Sequence, residues 1–334
     1  MYNFVKSPVS MFDTTGAEVL EQAVRADHPF RIMNELVDFD RSARTYRHLY
    51  SPTGTKGIPI EQAIRLLIIQ WLEDYSDREM ERAIQENLAI KWFCGFDLTD
   101  PTPDHSFFGK FRARLGTKNL GDIFQQLNDC FRAEGLIGDT FSFVDATGIV
   151  TKTALWEERD RALATGEKTV NNRNVAKFAA DKQARYGAKG KSTFWFGYKR
   201  HQCVDMKQGI VTKVAVTPAS VTDARALKHV LPISGAVIAD KGYDTNAAHD
   251  LLRGKQVHAG IIQKNNRKDK NYDLDRWRSK LRMPFEGSFS KLHRRAKYRG
   301  LKKVQFQAFA EAIAFNLKRF LVVHLARATL RAVT

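Results

Sequence analysis

The hydrophobic pattern of this chain changes period once, at Gly138, and that change constrains the fold more than any other feature. Upstream, Ile60, Ala63, Ile64, Leu67, Ile68 and Trp71 recur at helical spacing, behind the turn-rich segment 51–57 and with Pro59 at the start. This predicts a helix to about Glu73. Ser76 or Asp77 caps a second helix, with Glu79 in its first turn and Met80, Ala83, Ile84, Leu88 and Ile90 on its apolar face. Asp104 caps a third, which carries Lys110, Arg112 and Arg114, and a further helix over about 120–134 ends at Gly135. The stretch 17–25 is helix-like as well. Short helices joined by tight turns fit either a helix-turn-helix arrangement or a simple helical bundle.

Downstream of Gly138 the pattern alternates. Residues 140–151 (TFSFVDATGIVT) read as a strand, and 193–204 with 210–216 as a hairpin through Gly209. A short helix over 223–230, a buried strand over 236–239, a helix over 245–252 and a strand over 257–263 follow. Two helices, 285–297 and 307–327, close the chain. The order predicts an α/β domain with a mixed sheet flanked by helices. Two domains result, an all-helical one over 1–135 and an α/β one over 136–334. The polar stretch 152–192 is an insertion, too long for an ordinary loop.

Composition narrows the partners. Lys and Arg number 54 against 37 Asp and Glu, a net charge of +17. Such an excess suits a polyanion, most often nucleic acid. Apolar residues make up 43% of the chain, enough for a real core and against wholesale disorder. The most apolar runs, 66–69 and 320–326, are far short of the roughly 20 residues a membrane span needs. The first residues show no basic segment followed by an apolar one, so no secretory signal is expected. Cys94, Cys130 and Cys203 form no close pair, which fits a reducing cytoplasm and argues against zinc. Much of the charge is local: from Arg253 to Lys303 there are 17 basic residues against four acids, a net of +13. Tyr272 and Trp277 are interleaved there and suit base stacking.

Three carboxylates stand at informative places. Asp145 lies inside the apolar first strand, where a charge is costly unless paired or bound to a cation. Asp240 ends the apolar strand 236–239, at the edge where open α/β sheets place ligands. Glu286 follows Pro284-Phe285 among the basic residues Arg282, Lys291, Arg294, Arg295 and Lys297. A single acid near a helix start is usually a cap. Three acids at element ends or in an apolar strand around one predicted sheet read as hard oxygen ligands for Mg²⁺ or Mn²⁺. Two such ions about 4 Å apart serve phosphodiester transfer. Competing motifs are missing: there is no GxxxxGK[ST] loop and no GxSxG elbow, and Asp145-Ala-Thr147 lacks a second Asp. His201, His249 and His258 have no metal spacing.

Several motifs together resemble a known family. They are Tyr50-Ser-Pro-Thr-Gly, Ser76-Asp-Arg-Glu79, Trp92-Phe-Cys-Gly-Phe96 and Pro103-Asp-His-Ser106 with Phe111-Arg112, then Val144-Asp-Ala-Thr147 and Phe196-Gly-Tyr-Lys199. Thr217 to Asp223, Ala239-Asp-Lys-Gly-Tyr-Asp244, Arg282 with Glu286, Tyr298-Arg-Gly-Leu301 and Ala314-Phe-Asn-Leu-Lys318 complete the series. In this order they resemble bacterial insertion-sequence transposases of the DDE type, closest to insertion-sequence family five. The resemblance covers roughly Tyr50 to Arg319.

It implies an RNase H-like catalytic domain in which Asp145, Asp240 and Glu286 are the catalytic metal ligands, with two Mg²⁺ or Mn²⁺ ions. It implies cutting and joining of double-stranded DNA at the inverted-repeat ends of the element. Arg282 would hold a phosphate, with Lys241, Lys291, Arg294, Arg295 and Lys297 along the backbone and Lys110, Arg112 and Arg114 in the helical leader. A homodimer, to hold two ends together, and a cytoplasmic, nucleoid-associated location are implied too. The chain departs from the family where a Tyr is often found three residues before the Arg and a Lys seven after the Glu. Ser279 and His293 stand there, with Lys291 and Arg294 near enough to replace the Lys. Two alternatives stay open: a DNA-binding derivative that has lost transposition, and a metal-dependent nuclease of the same fold.

Overall fold

A computed structural model describes residues 15–50, 57–151, 171, 179–189, 193–290 and 292–333; most of the predicted 51–57 turn and 152–192 insertion, and Lys291, lie outside the described residues. The chain divides into two compact units, Met1–Asn119 with His324–Thr334, and Leu120–Val323.

The first unit is helical among its described residues. Its helices are α1 (Gly16–Ala23), α2 (Pro29–Leu36), α3 (Phe39–Arg44), α4 (Ile60–Leu72), α5 (Asp77–Glu86) and α6 (Leu88–Cys94), and the start of α7 (His105–Ala133). Helix α4 is apolar nearly all round and sits at the centre, with Ile64, Leu66, Leu67, Ile69 and Leu72 buried. Ser76 caps α5 as expected: its hydroxyl accepts from the Glu79 amide while the Glu79 carboxylate accepts from the Ser76 amide. Asn87 caps α6, and Gly95 ends it at φ +74°. The two helices expected from Asp104 to Glu134 form one run kinked at Gly116, whose φ of 71° and ψ of 167° no helix allows.

The second unit is built on a six-stranded mixed sheet. Its strands are β1 (Phe141–Val150), β2 (Arg185–Lys189), β3 (Thr193–Asp205), β4 (Ile210–Pro218), β5 (Ala236–Ala239) and β6 (His258–Ile261). The order is β2-β3-β1-β5-β6, with β4 also on β3. Strand β1 is the pivot, antiparallel to β3 and parallel to β5. Helices α8 (Asp223–Ala226) and α9 (Asn246–Gly254) lie between the later strands; α10 (Tyr272–Ser290) and α11 (Leu301–Val333) follow the sheet. On one face Val144, Cys203, Val237 and Ala239 pack with Leu227, Ala248 and Leu252. On the other, Arg200 of β3 reaches Glu311 of α11. Gly197 is required where β3 passes β1, because a Cβ there would lie 2.0 Å from the Ile149 carbonyl oxygen.

Other elements differ from expectation as well: the second helix, read through Leu88 and Ile90, breaks at Asn87, where α6 begins, and the last helix starts at Leu301. Residues 185–189, inside the stretch read as an insertion, form an edge strand on β3. Its only large apolar side chain is Tyr186, which packs on Phe196, so the alternation is too short to register. Helix α10 begins at Tyr272 rather than Phe285 and runs through Pro284. Its first half is anchored by polar bonds instead of an apolar stripe: buried Asp275 accepts from the Gln263 amide at 3.2 Å and Arg278 donates to the Ile261 carbonyl at 2.9 Å. Residues 294–296, expected to be helical, pair with the end of β1. The Val150 amide donates to the Arg294 carbonyl at 2.7 Å, and the Ala296 amide to the Val150 carbonyl at 2.8 Å.

Candidate active site

The sheet register places two of the three acids. Val144 of β1 and Ala239 of β5 are partners in a parallel pair, and each is followed by an acid, Asp145 and Asp240. Neighbouring strands lie about 4.8 Å apart, so the two acids stand side by side where β5 ends. Asp145 Oδ1 accepts from the Ala146 amide at 2.8 Å. Asp240 Oδ1 accepts from the Lys241 amide at 2.8 Å and caps the single turn Lys241–Tyr243.

Helix α10 packs against β1 and β5. Its Arg282 lies with Nη1 3.3 Å from Asp240 Oδ1 and its guanidinium 5.7 Å from the centre of the Phe143 ring. That one side chain ties the helix to both acid-bearing strands. Glu286 stands one turn further along α10; its backbone is described and its side chain is not.

Burial pushes the Asp145 carboxyl up to about 6, with the charges of Asp240 and Asp223 adding to the effect and the Ala146 amide and Arg282 opposing it. Asp223 is a further acid at this place that sequence reasoning left without a role. It opens α8, pairs with Lys199 at 2.9 Å, and has its other oxygen 4.0 Å from where a Cβ on Gly242 would sit. The signal was present, since Asp223 closes the Thr217–Asp223 motif. Tyr243, 1% exposed, has a hydroxyl without a hydrogen-bond partner. Burial raises it, and Asp223, Asp145 and Asp240 raise it further, so it stays protonated. His201 is buried and pushed down to about 4 by burial, so it is neutral, with Nε2 2.8 Å from the Thr217 hydroxyl.

The donors suit a hard divalent cation: carboxylate oxygens, a low-dielectric seat, and a negative charge that Arg282 only partly offsets. Among the described residues no three His, Cys, Asp or Glu side chains are grouped closely enough to hold an ion, and the Glu286 side chain lies outside the described ones.

The expected DNA-contacting residues divide. Lys241, Arg294, Arg295 and Lys297 are exposed, and Lys291 lies outside the described residues. Bridge formation at β1 brings Arg294 and Arg295 to the strand that bears Asp145. His293, standing where the resemblance leads one to expect Lys, has Nδ1 3.4 Å from Glu311 Oε1. In the first unit Lys110 is exposed, and Arg114 lies 4.8 Å over the Tyr50 ring. Arg112 instead braces α7 to α5, with Nη1 and Nη2 2.7 and 2.6 Å from the two Asp77 oxygens. Part of the local charge is also held internally: Arg267 pairs with Asp244 and Arg278 with Asp275. Tyr272 and Trp277 are exposed on α10.

Comparison with known proteins decides the family. Residues 137–317, more than half of the chain, match the family described as Transposase DDE domain. The chain belongs to the DDE transposases. Residues 18–114 match a second family, Transposase domain (DUF772). The transposase is 29% identical over 224 residues to the transposase for insertion sequence element IS1106 of Neisseria meningitidis serogroup B, covering 63% of this chain and 76% of that protein. A solved structure, the piggyBac transposase synaptic complex with hairpin DNA, aligns with 91% of this chain and 75% of its own at 8% identity and a TM-score of 0.35. This is an enzyme that cuts and joins DNA. Neither the non-catalytic derivative nor the plain nuclease is favoured. No helix among the described residues is long and apolar enough to cross a membrane.

Proposed function

We propose that this transposase is of the insertion-sequence family-five type. Its second domain, 136–334, would be an RNase H-like catalytic domain, and its first, 1–135, would read the terminal inverted repeats. The observation that carries the reading is the Arg282–Asp240 contact, which brings α10 to the place where Asp145 and Asp240 stand on adjacent strands. Asp145, Asp240 and Glu286 are the metal ligands in this reading. Bound there, two Mg²⁺ or Mn²⁺ ions would supply activation of the attacking oxygen and stabilisation of the leaving oxygen.

The chain's own residues do the rest. Arg282 is positioned by Asp240 and the Phe143 ring and exchanges one oxyanion for another when a backbone phosphate enters. Lys241, Lys291, Arg294, Arg295 and Lys297 neutralise the flanking phosphates, and Lys110 and Arg114 serve the leader. Arg112 contributes by fixing α7 against α5. Two ends must be held at once, which a homodimer provides, and the work is done on the chromosome in the cytoplasm.

The test is in vitro transposition with purified protein, Mg²⁺, a duplex ending in the element's own inverted repeats, and a plasmid target. The expected result is nicking at the repeat boundary followed by joining of the freed 3′-hydroxyl to the plasmid. Nicking without preference for repeat ends, and without joined products, would contradict the proposal.

A further inference from the structure

The antiparallel register of β1 and β3 sets Phe143 opposite Val204, Asp145 opposite Gln202 and Thr147 opposite Arg200. Alternation along a strand puts these three pairs on one face of the sheet. The pairs on either side are each covered by a helix. Arg282 of α10 lies over Phe143, and Arg200 meets Glu311 of α11. Gln202, between them, is 1% exposed, and neither its Oε1 nor its Nε2 has a hydrogen-bond partner. Buried amides are almost always paired, and an apolar side chain of the same size would fill the space at no such cost. Its cross-strand neighbour is equally incomplete. Asp145 accepts at Oδ1 from its own Ala146 amide, and Oδ2 accepts nothing among the described residues. Directly opposite residues have Cβ atoms about 5 Å apart, within the reach of a glutamine.

We propose that Gln202 is the positioning residue of Asp145. With a cation bound, its Nε2–H would turn to donate to Asp145 Oδ2 and hold the carboxylate in one orientation. The second polar atom, Oε1, is left to accept from water at the same place. This inference rests on the reading of Asp145 as a metal ligand. It assigns to β3 a part in the centre that the acids alone do not describe. Outer partners of metal-binding groups work in this way, by restricting the ligand before the ion arrives.

The experiment is Mn²⁺ titration of the full-length protein, followed by electron paramagnetic resonance of the free ion, with Tm measured with and without Mn²⁺. Gln202→Met is expected to weaken Mn²⁺ binding by about 10- to 100-fold, the range for loss of an outer partner, while the metal-free Tm stays level or rises. Gln202→Glu, which keeps the reach and adds a charge beside Asp145, is expected to lower the metal-free Tm at pH 8 and to gain more Tm from Mn²⁺ than the natural protein does. Mn²⁺ affinity of Gln202→Met within about twofold of the natural protein would overturn the role. So would a Gln202→Glu protein whose Tm loss Mn²⁺ does not recover. Asp145→Asn separates the two layers. Undiminished Mn²⁺ binding in that variant sinks the metal-site reading itself, whereas loss there with normal binding in Gln202→Met sinks only the part given to Gln202.

Discussion

Asp145→Asn is expected to lose strand cleavage by well over about 100-fold, the upper loss seen for mere outer partners of a metal ligand, while remaining folded. The same substitution should make the metal-free protein more stable at neutral pH. The Asp145 carboxyl is raised from 3.8 to about 6 in the fold, so the folded chain holds this proton more tightly than the unfolded one. The protonated site is therefore at its most stable below about pH 4. Stability is lost as pH rises through about 6 and then levels off, a change of about 3 kcal/mol in total. Asn carries no such charge. Urea unfolding in chelator from pH 4 to 8 should give a slope in the natural protein that flattens in Asp145→Asn. Equal stability of the two at pH 8, or retained cleavage, would contradict the assignment. A metal centre is expected to trade stability for function in this direction, since its unbound ligands repel one another.

The second large effect concerns the same sheet face as Asp145, further along β1 and β3. Arg200 and Glu311 are 1% and 4% exposed and pair with each other across β3 and α11. Gln307 Nε2 donates to Glu311 Oε1 at 2.7 Å, and the ring of His293 approaches the same oxygen. Removing one partner of such a pair strands the other charge in a medium that cannot solvate it. Glu311→Ala is therefore expected to cost about 3–5 kcal/mol in urea unfolding. The double replacement Arg200→Met with Glu311→Leu removes both charges and keeps the volume, and should recover most of that loss. A single variant within about 1 kcal/mol of the natural protein would show that water reaches the pair.

What could be read from the residues, and what could not, follows from the kind of force that holds each part. Strands β1 and β5 were legible because each is an apolar run bearing or ending in one acid, and that contrast is itself the anomaly that marks Asp145 and Asp240. The capped start of α5 was legible because its signals lie within a few residues; the break at Asn87 that begins α6 was not, because Leu88 and Ile90 continue the same apolar period. The first half of α10 was not, because Asp275 and Arg278 bind it to the end of β6 and no apolar stripe announces it. Gln202 was invisible for another reason. Its neighbours are set by which strands lie side by side, and hydrophobic period does not encode that β3 pairs with β1. The charge of the 253–303 segment was read as one basic patch. The fold spends part of it on Asp244 and Asp275, and turns Arg294 and Arg295 toward the end of β1.

The central claim is that Asp145, Asp240 and Glu286 form one metal centre. Iron-directed cleavage of the chain tests it most directly. Fe²⁺ is bound in place of Mg²⁺, ascorbate and peroxide are added, and the fragments are mapped. Backbone cuts are expected near residues 145, 240 and 286 together, all suppressed by excess Mg²⁺. Cuts near 145 and 240 that leave the 286 region intact, or cuts confined to other segments, would contradict it.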